Sequence, residues 1–388
     1  MEHKKSILFI NGNLSIGGTE KSLVNLINAI DNTKYDVDLM LFQSGRELEP
    51  QLRAGVSVIS YDVSIAFGPI KDVVVRCLRQ RRWADLLLRL SRICPKKIGS
   101  ILMKGLSRKL AIRKYYDAVI AYRPGLAEDF ALNCVKSKKK LTWWHNAYFD
   151  VALDLKSMKY HWRLFDRIVT VSESIAKHVQ DVVAESCGKV EVVYNMINPD
   201  ESMEMAQRPD PFGDTTKLKF VTVSRLSAEK NLERIIDISN ELRNRMIEFQ
   251  WAIIGDGPLY QKLHDLITQN NLEDVVLLKG ETTNPYPWMH YADLMIHPSL
   301  CESFGLVLVE AMSVGTPCIS AKSLGASDVI NNNNGILVAD EPAEYVNAIL
   351  LYRDNKVIKD RLIANCRESI RKYSSGEVLN KFNLVIGV

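Results

Sequence analysis

The chain has 388 residues, of which 47% are hydrophobic and 25% are charged. That length exceeds what one hydrophobic core usually serves, so two domains are expected, and the composition excludes a disordered or fibrous protein. The formal net charge of +4 is too small to indicate a nucleic-acid binder. Seven scattered cysteines without a CxxC pair point to a reducing compartment, and no apolar run approaches the ~20 residues of a membrane span. We therefore expect a cytoplasmic protein, either free or attached to a membrane surface.

The first half of the chain alternates short apolar runs with helical patterns. A strand at 6–12 leads through a glycine pair into a helix, and a second strand follows at 35–42. Further strands are predicted at 117–122, 140–145, 167–172 and 189–195. Strand–helix alternation of this kind predicts a parallel sheet with helices on both faces.

The second half repeats this alternation after a polar segment with three prolines, which is the predicted linker at 196–216. Strands are expected at 218–224, 249–257, 275–280, 292–299 and 317–321. The predicted domains are 1–195 and 217–370, and the segment 371–388 is expected to pack back on the amino-terminal domain. In doubly wound sheets, ligands bind beyond the carboxyl ends of the strands, which predicts a binding cleft between the domains.

Four segments carry a family resemblance. They are "GGTE" (17–20), "SRLSAEKN" (224–231), "IIGDGPLYQKL" (253–263) and "ADLMIHPSLCESFGLVLVEAMSVGTPCIS" (292–320). Together they resemble the retaining glycosyltransferases of group 1, the GT4 family, in the expected order over nearly the whole chain. The resemblance implies the α/β GT-B fold, in which two doubly wound, Rossmann-like domains with parallel sheets face each other across a cleft. It also implies an amino-terminal acceptor-binding domain and a carboxyl-terminal domain that binds a nucleotide sugar.

The residue types in these segments suit a nucleotide sugar, which presents a diphosphate, a ribose diol and sugar hydroxyls. A helix that begins at the Phe304–Gly305 step offers backbone amides to phosphate, and glycine lets the main chain approach closely. Arg225 and Lys230, in the turn after a strand, add positive charge to that site. Glu302 would then reach the hydroxyls of the transferred sugar. The resemblance assigns the two ribose hydroxyls to the later glutamate, Glu310.

In the first domain, Gly17 and Gly18 stand where the first strand meets a helix, so their amides are predicted to approach the donor phosphate. His145 follows an apolar strand, and the resemblance places such a histidine near the sugar, which it would orient rather than deprotonate. Glu20 is left unassigned, since it could cap the helix or contact substrate. The predicted donor-binding residues are Gly17, Gly18, Arg225, Lys230, Ser303, Phe304, Gly305, Leu306 and Glu310, and the predicted catalytic residues are His145 and Glu302.

Each of these positions also has a plain structural explanation. The glycine pair could form only a tight turn, and His145 could be an ordinary core or surface histidine. Arg225 and Lys230 could lie in an exposed turn with a surface salt bridge. Glu302 and Glu310 could cap the helix and lie on its solvated face, respectively. The combination of all these residues in one order favours the functional interpretation.

Two motifs resemble metal or cofactor sites, but their contexts argue against both. "DVD" (36–38) looks like a metal-binding DxD, yet Val37, Leu39 and Leu41 share one strand face, so the aspartates are expected on a solvated face. "GDGPLY" (255–260) lacks the third glycine of a dinucleotide fingerprint, which argues against NAD. We therefore expect no metal and no cofactor other than the nucleotide-sugar co-substrate.

Residues 71–115 form a basic insert, with fourteen lysines and arginines against two aspartates and a net charge of +12. Apolar residues recur in it at helical spacing, namely Trp83, Leu87, Leu90, Ile98, Leu102, Leu106 and Leu110. Basic amphipathic helices favour anionic lipid, so a membrane surface is a predicted partner. Alternatively, the apolar stripe packs on the amino-terminal domain. Nucleic acid is disfavoured, because no binding module accompanies the patch.

The sequence thus predicts a cytoplasmic transferase, peripheral on the inner face of the membrane, that moves a hexose or N-acetylhexosamine to a lipid-linked or growing bacterial surface glycan. UDP is favoured over GDP as the carrier nucleotide. Two other functions are compatible with the same architecture: a non-catalytic glycan-binding or stabilising partner, and a nucleotide-sugar epimerase. The charged set of Glu302, Glu310, Arg225 and Lys230 argues against the first, and the absence of an acid–base pattern argues against the second.

Overall fold

The computed structural model describes residues 4–43, 45–63, 66, 68–93, 99, 112–146, 155–213 and 215–387. The chain forms two compact units. The first consists of Met1–Val171, Ala176–Val193 and Leu379–Val388, and the second of Ser172–Ile175 and Tyr194–Val378. Each unit is built on a parallel sheet with helices between its strands, which confirms the α/β class that the apolar pattern predicts.

The sheet of the first unit is parallel throughout and has the strand order β3-β2-β1-β4-β5-β6-β7. Its strands are β1 (Lys5–Asn11), β2 (Tyr35–Leu41), β3 (Ser57–Ser60), β4 (Ile112–Ala121), β5 (Val135–Trp144), β6 (Arg167–Thr170) and β7 (Val190–Val192). The central strand β1 is buried from Ile7 to Ile10, as expected for a sheet covered on both faces. The carboxyl ends of β1, β4 and β5 therefore lie side by side at one edge.

The second sheet is also parallel and has the order β10-β9-β8-β11-β12-β13. Its strands are β8 (Leu218–Val223), β9 (Phe249–Ile254), β10 (Val276–Gly280), β11 (Leu294–His297), β12 (Cys318–Ala321) and β13 (Gly335–Val338). Phe220, Trp251 and Ile296 belong to the buried cluster at its centre. Because β8 and β11 are neighbours, the loops that follow them meet at the carboxyl edge of this sheet.

Helices connect the strands throughout the described part of both units. They are α1 (Gly18–Ala29), α2 (Ile70–Arg79), α3 (Trp83–Ile93), α4 (Leu126–Asn133), α5 (Leu155–Trp162), α6 (Glu173–Val182), α7 (Pro199–Ala206), α8 (Glu233–Asn244), α9 (Tyr260–Gln269), α10 (Tyr286–Tyr291), α11 (Leu306–Ser313), α12 (Leu324–Val329), α13 (Pro342–Asp354), α14 (Lys356–Ser369) and α15 (Ser375–Ile386).

Two strands of four residues each, β3 and β13, are absent from the sequence-based prediction. Two others begin earlier than predicted. β4 starts at Ile112 and β5 at Val135, and the added residues are mostly polar. These two strands pair with each other from their first residues, so their polar side chains lie on an exposed ribbon that hydrophobic patterns do not reveal.

The predicted linker, 196–216, contains a helix. Pro199 occupies the first turn of α7, and the Asn198 side chain accepts a hydrogen bond from the Glu201 amide at 3.4 Å. Ser202 and Ala206 of this helix are buried, and the whole segment groups with the second unit. A short helix with a proline start and a polar composition is easily taken for a loop in sequence.

The interpretation of the "DVD" motif is wrong for one of its two aspartates. Asp36 is exposed, but Asp38 is buried because the Tyr116 hydroxyl donates to its carboxylate at 2.6 Å and the Lys114 ammonium lies 3.0 Å away. Both partners come from the polar start of β4, which the sequence-based prediction omits. Asp38 is therefore a structural carboxylate paired with a cation.

The carboxyl-terminal helix α15 reaches the core of the first unit. The Phe382 ring stacks on Phe9, with centroids 6.2 Å apart, and on Trp143 at 6.4 Å. Lys139 also donates a hydrogen bond to the Gly387 carbonyl at 2.9 Å. Residues 379–388 accordingly group with the first unit.

Gly255 allows a close main-chain approach at the carboxyl edge of the second sheet. Its φ is +141°, and a Cβ atom there would lie 1.9 Å from the Ser224 carbonyl oxygen. Ser224 donates its amide to Ile254, and Leu226 donates its amide to Asp256, so the loops after β8 and β9 are joined by backbone hydrogen bonds. The glycine therefore sets the path of the loop that carries Arg225.

We predict that Gly255→Ala destabilises the second unit by about 3 kcal/mol, since both the backbone conformation and the space oppose a side chain. For a unit of this size, that is a fall of roughly 6–12 °C in melting temperature by calorimetry. The matched control is Gly376→Ala in α15, where a Cβ meets no atom within 4 Å and φ is not positive. Equal losses in the two variants would contradict the prediction.

Candidate functional site

The loops after β8 and β11 are tied together at the carboxyl edge of the second sheet. Glu229, in a short turn at Ala228–Lys230, accepts hydrogen bonds through its carbonyl oxygen from the Leu300 amide and the Ser299 hydroxyl, both at 3.3 Å. This contact brings Lys230 next to Glu302, although the two residues are far apart in sequence. The sequence predicts both residues as part of one site, and the structure places them in contact.

The carboxylate of Glu302 has two donors on one oxygen. Lys230 Nζ lies 2.5 Å from Oε1, and His297 Nε2 lies 2.8 Å from the same atom. Burial by itself would raise the pKa of Glu302, but the hydrogen bond from His297 and the charge of Lys230 outweigh it and lower that pKa to about 2. Glu302 is therefore an anion at every physiological pH.

A second cluster fixes the turn that carries Lys230. Asn231 adopts a left-handed conformation with φ of +52° and donates its side-chain amide to both oxygens of Asp340 at 3.0 Å. Arg234 forms a two-pronged ion pair with the same carboxylate, at 2.9 and 3.0 Å. Because Asp340 follows β13, these bonds connect the Lys230 turn to the far side of the sheet.

Arg225 lies in the loop between β8 and the Lys230 turn. Its side chain is exposed, and it forms no ion pair with any of the residues that the structure describes. Burial alone would raise the pKa of Glu229, but hydrogen bonds from the Ser227 side chain and the backbone, followed by the charges of Lys230 and Arg225, lower it. A cation with no carboxylate partner at the carboxyl edge of a parallel sheet is suited to an anionic ligand.

The helix after Glu302 begins where the sequence predicts. Gly305 precedes α11 with φ of +79°, the left-handed conformation that favours glycine, and its carbonyl accepts the Leu308 amide at 2.9 Å. Ser303 and Leu306, on either side, are half-buried. The amides of the first helical turn are thus presented at the same edge as Lys230 and Arg225.

Phe304 has a structural side chain. Its ring is buried and lies edge-on to Tyr373, with centroids 5.1 Å apart, and 6.2 Å from Tyr194. Gly325 of α12 packs directly against its backbone, where a Cβ would come within 2.4 Å of the Phe304 nitrogen, and the Gly325 amide donates to the Glu302 carbonyl at 2.9 Å. Any contact of Phe304 with a ligand is therefore limited to its main chain.

Glu310 lies in α11 and is buried, so the alternative that it occupies a solvated helix face is wrong. The Tyr286 hydroxyl of α10 lies 3.4 Å from its Oε1 atom. Ser313 donates a hydrogen bond to the Glu310 carbonyl at 2.6 Å. A buried carboxylate on a largely apolar helix carries a desolvation cost, so it requires hydrogen-bond donors close by.

In the first unit, the predicted glycine pair lies at the start of α1. Gly17 has an extended backbone, and a Cβ on it would come within 2.6 Å of the Glu20 carboxylate. Glu20 itself is buried and pairs with Arg123, whose Nη2 atom lies 2.5 Å from Oε1. The carboxylate of Glu20 therefore forms an ion pair with a residue that closely follows β4.

His145 follows β5 and packs among aromatic rings. Its ring lies parallel to that of Trp143 at 6.0 Å and 4.6 Å from the Tyr122 ring centroid. Burial, together with the positive charge of Arg123, lowers the pKa of His145 to about 3. Its Nε2 atom is buried without a hydrogen-bond partner in the described residues. The imidazole is therefore neutral at pH 7 and has one nitrogen available to a ligand.

Sequence reasoning missed four residues that shape these sites: His297, Tyr286, Arg123 and Gly325. His297 was visible as a histidine at the end of a predicted strand, in "MIHPS", a position at which side chains face a ligand edge. Arg123 follows another predicted strand in the same way. Tyr286 and Gly325 carry no comparable signal, since their importance depends on packing against distant segments. Among the described residues, no cluster of histidine, cysteine and carboxylate side chains could hold a metal ion.

Comparison with known proteins identifies a family model and several relatives of similar sequence. Residues 204–372 match the family model described as "Glycosyl transferases group 1". The N-acetyl-alpha-D-glucosaminyl L-malate synthase of Bacillus anthracis is 27% identical over 230 residues, which cover 57% of this chain and 59% of that enzyme. The poly(ribitol-phosphate) alpha-N-acetylglucosaminyltransferase of Staphylococcus aureus is 29% identical over 164 residues, 41% of this chain and 33% of that enzyme. The chain thus spans about half the length, or less, of these relatives.

Solved structures match over almost the full chain. HepE (Alr3699) of Anabaena in complex with UDP aligns with a TM-score of 0.75 and 18% identity, covering 98% of this chain and 99% of HepE. The fold is therefore that of the GT-B glycosyltransferases, as the sequence predicts. The matched segment, residues 204–372, lies in the second unit and contains Glu302, Glu310, Arg225 and Lys230.

We predict that the imidazole of His145 does not titrate between pH 5 and 8, as measured by histidine Cε1–H NMR. Arg123→Gln should raise the pKa of His145, because it removes a nearby positive charge and leaves the Glu20 carboxylate without its partner. Arg113→Gln, on the distant start of β4, is the matched control and should leave that pKa unchanged. A wild-type pKa near 6.5 would contradict the assignment of a neutral, buried ring.

Since the pKa of His145 is lower in the folded than in the unfolded chain, the unfolded state takes up this proton more readily. The contribution of His145 to stability is therefore fully present above pH 6.5 and is lost as the pH falls toward 3.

Proposed function

We propose that the protein is a retaining glycosyltransferase that transfers a hexose or N-acetylhexosamine from a nucleoside diphosphate, preferably UDP, to a bacterial glycan. The observation that carries the proposal is the joining of Lys230, Glu302 and the start of α11 at one sheet edge. Relatives named as N-acetylglucosaminyl transferases support the class of sugar, and HepE, solved with UDP, supports the nucleotide.

Each part of the donor has a suitable partner in the second unit. The amides at Gly305–Leu306 and the cations Arg225 and Lys230 would neutralise the diphosphate, which makes a metal ion unnecessary. Glu310 would accept hydrogen bonds from the ribose hydroxyls and Glu302 from the sugar. Ser303 stays a predicted contact of the same loop. Gly17, Gly18 and His145 stay predicted donor contacts from the first unit.

The proposed reaction keeps the configuration of the sugar by working on one face. The bond between the anomeric carbon and the phosphate oxygen breaks, the acceptor oxygen forms the new bond, and the acceptor proton passes to the released phosphate. Glu302 is a poor covalent nucleophile, because its pKa is about 2 and one of its oxygens is held by two donors. His145 is neutral and weakly basic, which suits orientation of the sugar rather than proton abstraction.

The acceptor is proposed to be lipid-linked, with the protein peripheral on the inner face of the cell membrane. Helices α2 and α3 of the basic insert bury Val73, Cys77 and Leu88. The apolar stripe is therefore only partly packed, and Val75 and Trp83 remain 63% and 56% exposed. Exposed apolar and basic side chains on one short helical pair suit an anionic interface.

No helix in the described ranges is long and apolar enough to cross a bilayer.

The remainder of the predicted insert, 94–98 and 100–111, lies outside the described residues, so the stripe at Ile98, Leu102, Leu106 and Leu110 stays a prediction.

We predict that UDP at 100 times its dissociation constant stabilises the protein by about 2.7 kcal/mol in thermal-shift experiments. Arg225→Gln should weaken UDP binding about tenfold without loss of stability, because its side chain is exposed and unpaired. Glu310→Ala should abolish most of the shift. The matched control, Glu344→Ala at an exposed position of α13, should keep the thermal shift.

Release of UDP from a UDP-sugar panel in the presence of glycan acceptors distinguishes the functions. Formation of an epimer, or binding without turnover, would replace the transferase proposal with one of its two competitors.

We predict that the protein co-sediments with anionic vesicles at low salt, and that Lys71→Glu with Arg79→Glu weakens this binding about tenfold or more, at roughly 1 kcal/mol per basic side chain. Both residues are exposed on α2. The control carries two equal charge changes, Arg361→Glu and Arg367→Glu, on exposed positions of α14. Equal binding by wild type and the α2 variant would contradict membrane attachment through this surface.

A further inference from the structure

His297 ends β11 with a fully buried side chain, 1% exposed, next to the proposed sugar-binding carboxylate. Its Nε2 atom is 2.8 Å from Glu302 Oε1. Lys230 Nζ reaches the same oxygen from a different element, the turn after β8. The two donors thus approach one carboxylate oxygen from two separate parts of the fold.

The surroundings of His297 select one form of its ring. Nδ1 is buried and has no hydrogen-bond partner among the described residues. A proton on Nδ1 would leave a buried N–H unsatisfied, at a cost of about 1–3 kcal/mol, whereas a bare ring nitrogen costs less. The geometry therefore favours a proton on Nε2, donated to Glu302.

This arrangement leaves the other oxygen of Glu302 available. Oε2 forms no hydrogen bond within the part of the chain that the structure describes. An ionised carboxylate oxygen accepts hydrogen bonds and donates none, so its partner must supply a hydroxyl or an N–H group. A sugar hydroxyl or an acetamido N–H meets that requirement.

We propose that His297 is a positioning residue: together with Lys230 it holds Glu302 Oε1, so that Oε2 receives a hydroxyl or amide N–H of the donor sugar. The inference rests on the proposed function, in which Glu302 contacts the transferred sugar. A lysine alone would provide the charge, but its flexible stem does not fix the orientation of the carboxylate. A rigid ring anchored in a strand does fix it.

The test separates the sugar from the nucleotide. Dissociation constants are measured for UDP and for a panel of UDP-glucose, UDP-galactose, UDP-N-acetylglucosamine and GDP-mannose. His297→Leu should weaken the best donor about tenfold, the loss expected for a hydrogen bond to a charged group. The same variant should bind free UDP within twofold of wild type, since free UDP lacks the transferred sugar that Glu302 is proposed to contact.

His297→Gln, whose amide nitrogen can replace Nε2, should restore donor binding to within about threefold of wild type. The matched control is His290→Leu in α10. The Nδ1 atom of His290 lies 3.1 Å from the Val314 carbonyl oxygen. It should leave both dissociation constants unchanged.

Several outcomes would overturn the proposal. Equal losses for UDP and donor in His297→Leu would indicate a merely structural role, and a glutamine variant no better than leucine would exclude the donated hydrogen bond. If the wild-type protein binds none of the nucleotide sugars more tightly than the free nucleotide, a contact between Glu302 and the sugar is excluded. A wild-type protein that binds no nucleotide would instead overturn the proposed function, on which this inference rests.

If the leucine variant fails to fold, nitrogen-15 NMR of wild-type His297 identifies the ring nitrogen that carries the proton. The proton is expected on Nε2, and a proton on Nδ1 would contradict the proposal.

Discussion

The burial of one ionised carboxylate governs the architecture of the second unit's site. Glu302 is largely removed from water, and a carboxylate in that position is stable only with donors close by. The structure supplies them from the turn after β8 and from the end of β11, which are distant in sequence and adjacent in the sheet. The backbone bonds of Glu229 and the ion pair of Arg234 with Asp340 hold those donors in place. Parallel pairing is thus the physical origin of the site, because it brings separate loops to one edge.

The two units have similar folds but differ in the charged side chains at the carboxyl edges of their sheets. In the second, cations are arranged around the start of a helix, and Arg225 is left without a carboxylate partner in the described residues. In the first, Arg123 is already neutralised by Glu20, and the nearby His145 is kept uncharged. The carboxyl edge of the second sheet therefore carries an unpaired cation, whereas at that of the first sheet the cation is paired and the histidine is uncharged.

Much of this could be predicted from the sequence, for reasons that differ by residue. Glu302 and Glu310 stand out because they interrupt an apolar stretch with charges, whereas Arg225 and Lys230 were singled out by their place after a predicted strand and by the family resemblance. His297 was overlooked although it ends a predicted strand, and Tyr286 was missed because its contact with Glu310 depends on the packing of two helices. The strands β3 and β13 were missed, and Asp38 was misjudged because its partners lie on the polar start of β4. A local sequence pattern indicates which residues are charged and which face of a strand is buried. Which side chains pair across strands depends on the completed sheet.

The stacking of Phe382 on Phe9 has a consequence for synthesis of the chain. The first unit takes most of its residues from the amino-terminal half, and domains generally begin to fold as they leave the ribosome. Here the aromatic cluster around Trp143 is incomplete until α15 has been translated, after the whole of the second unit. During elongation, the amino-terminal half of the nascent chain therefore exposes an apolar surface, to which a chaperone would bind.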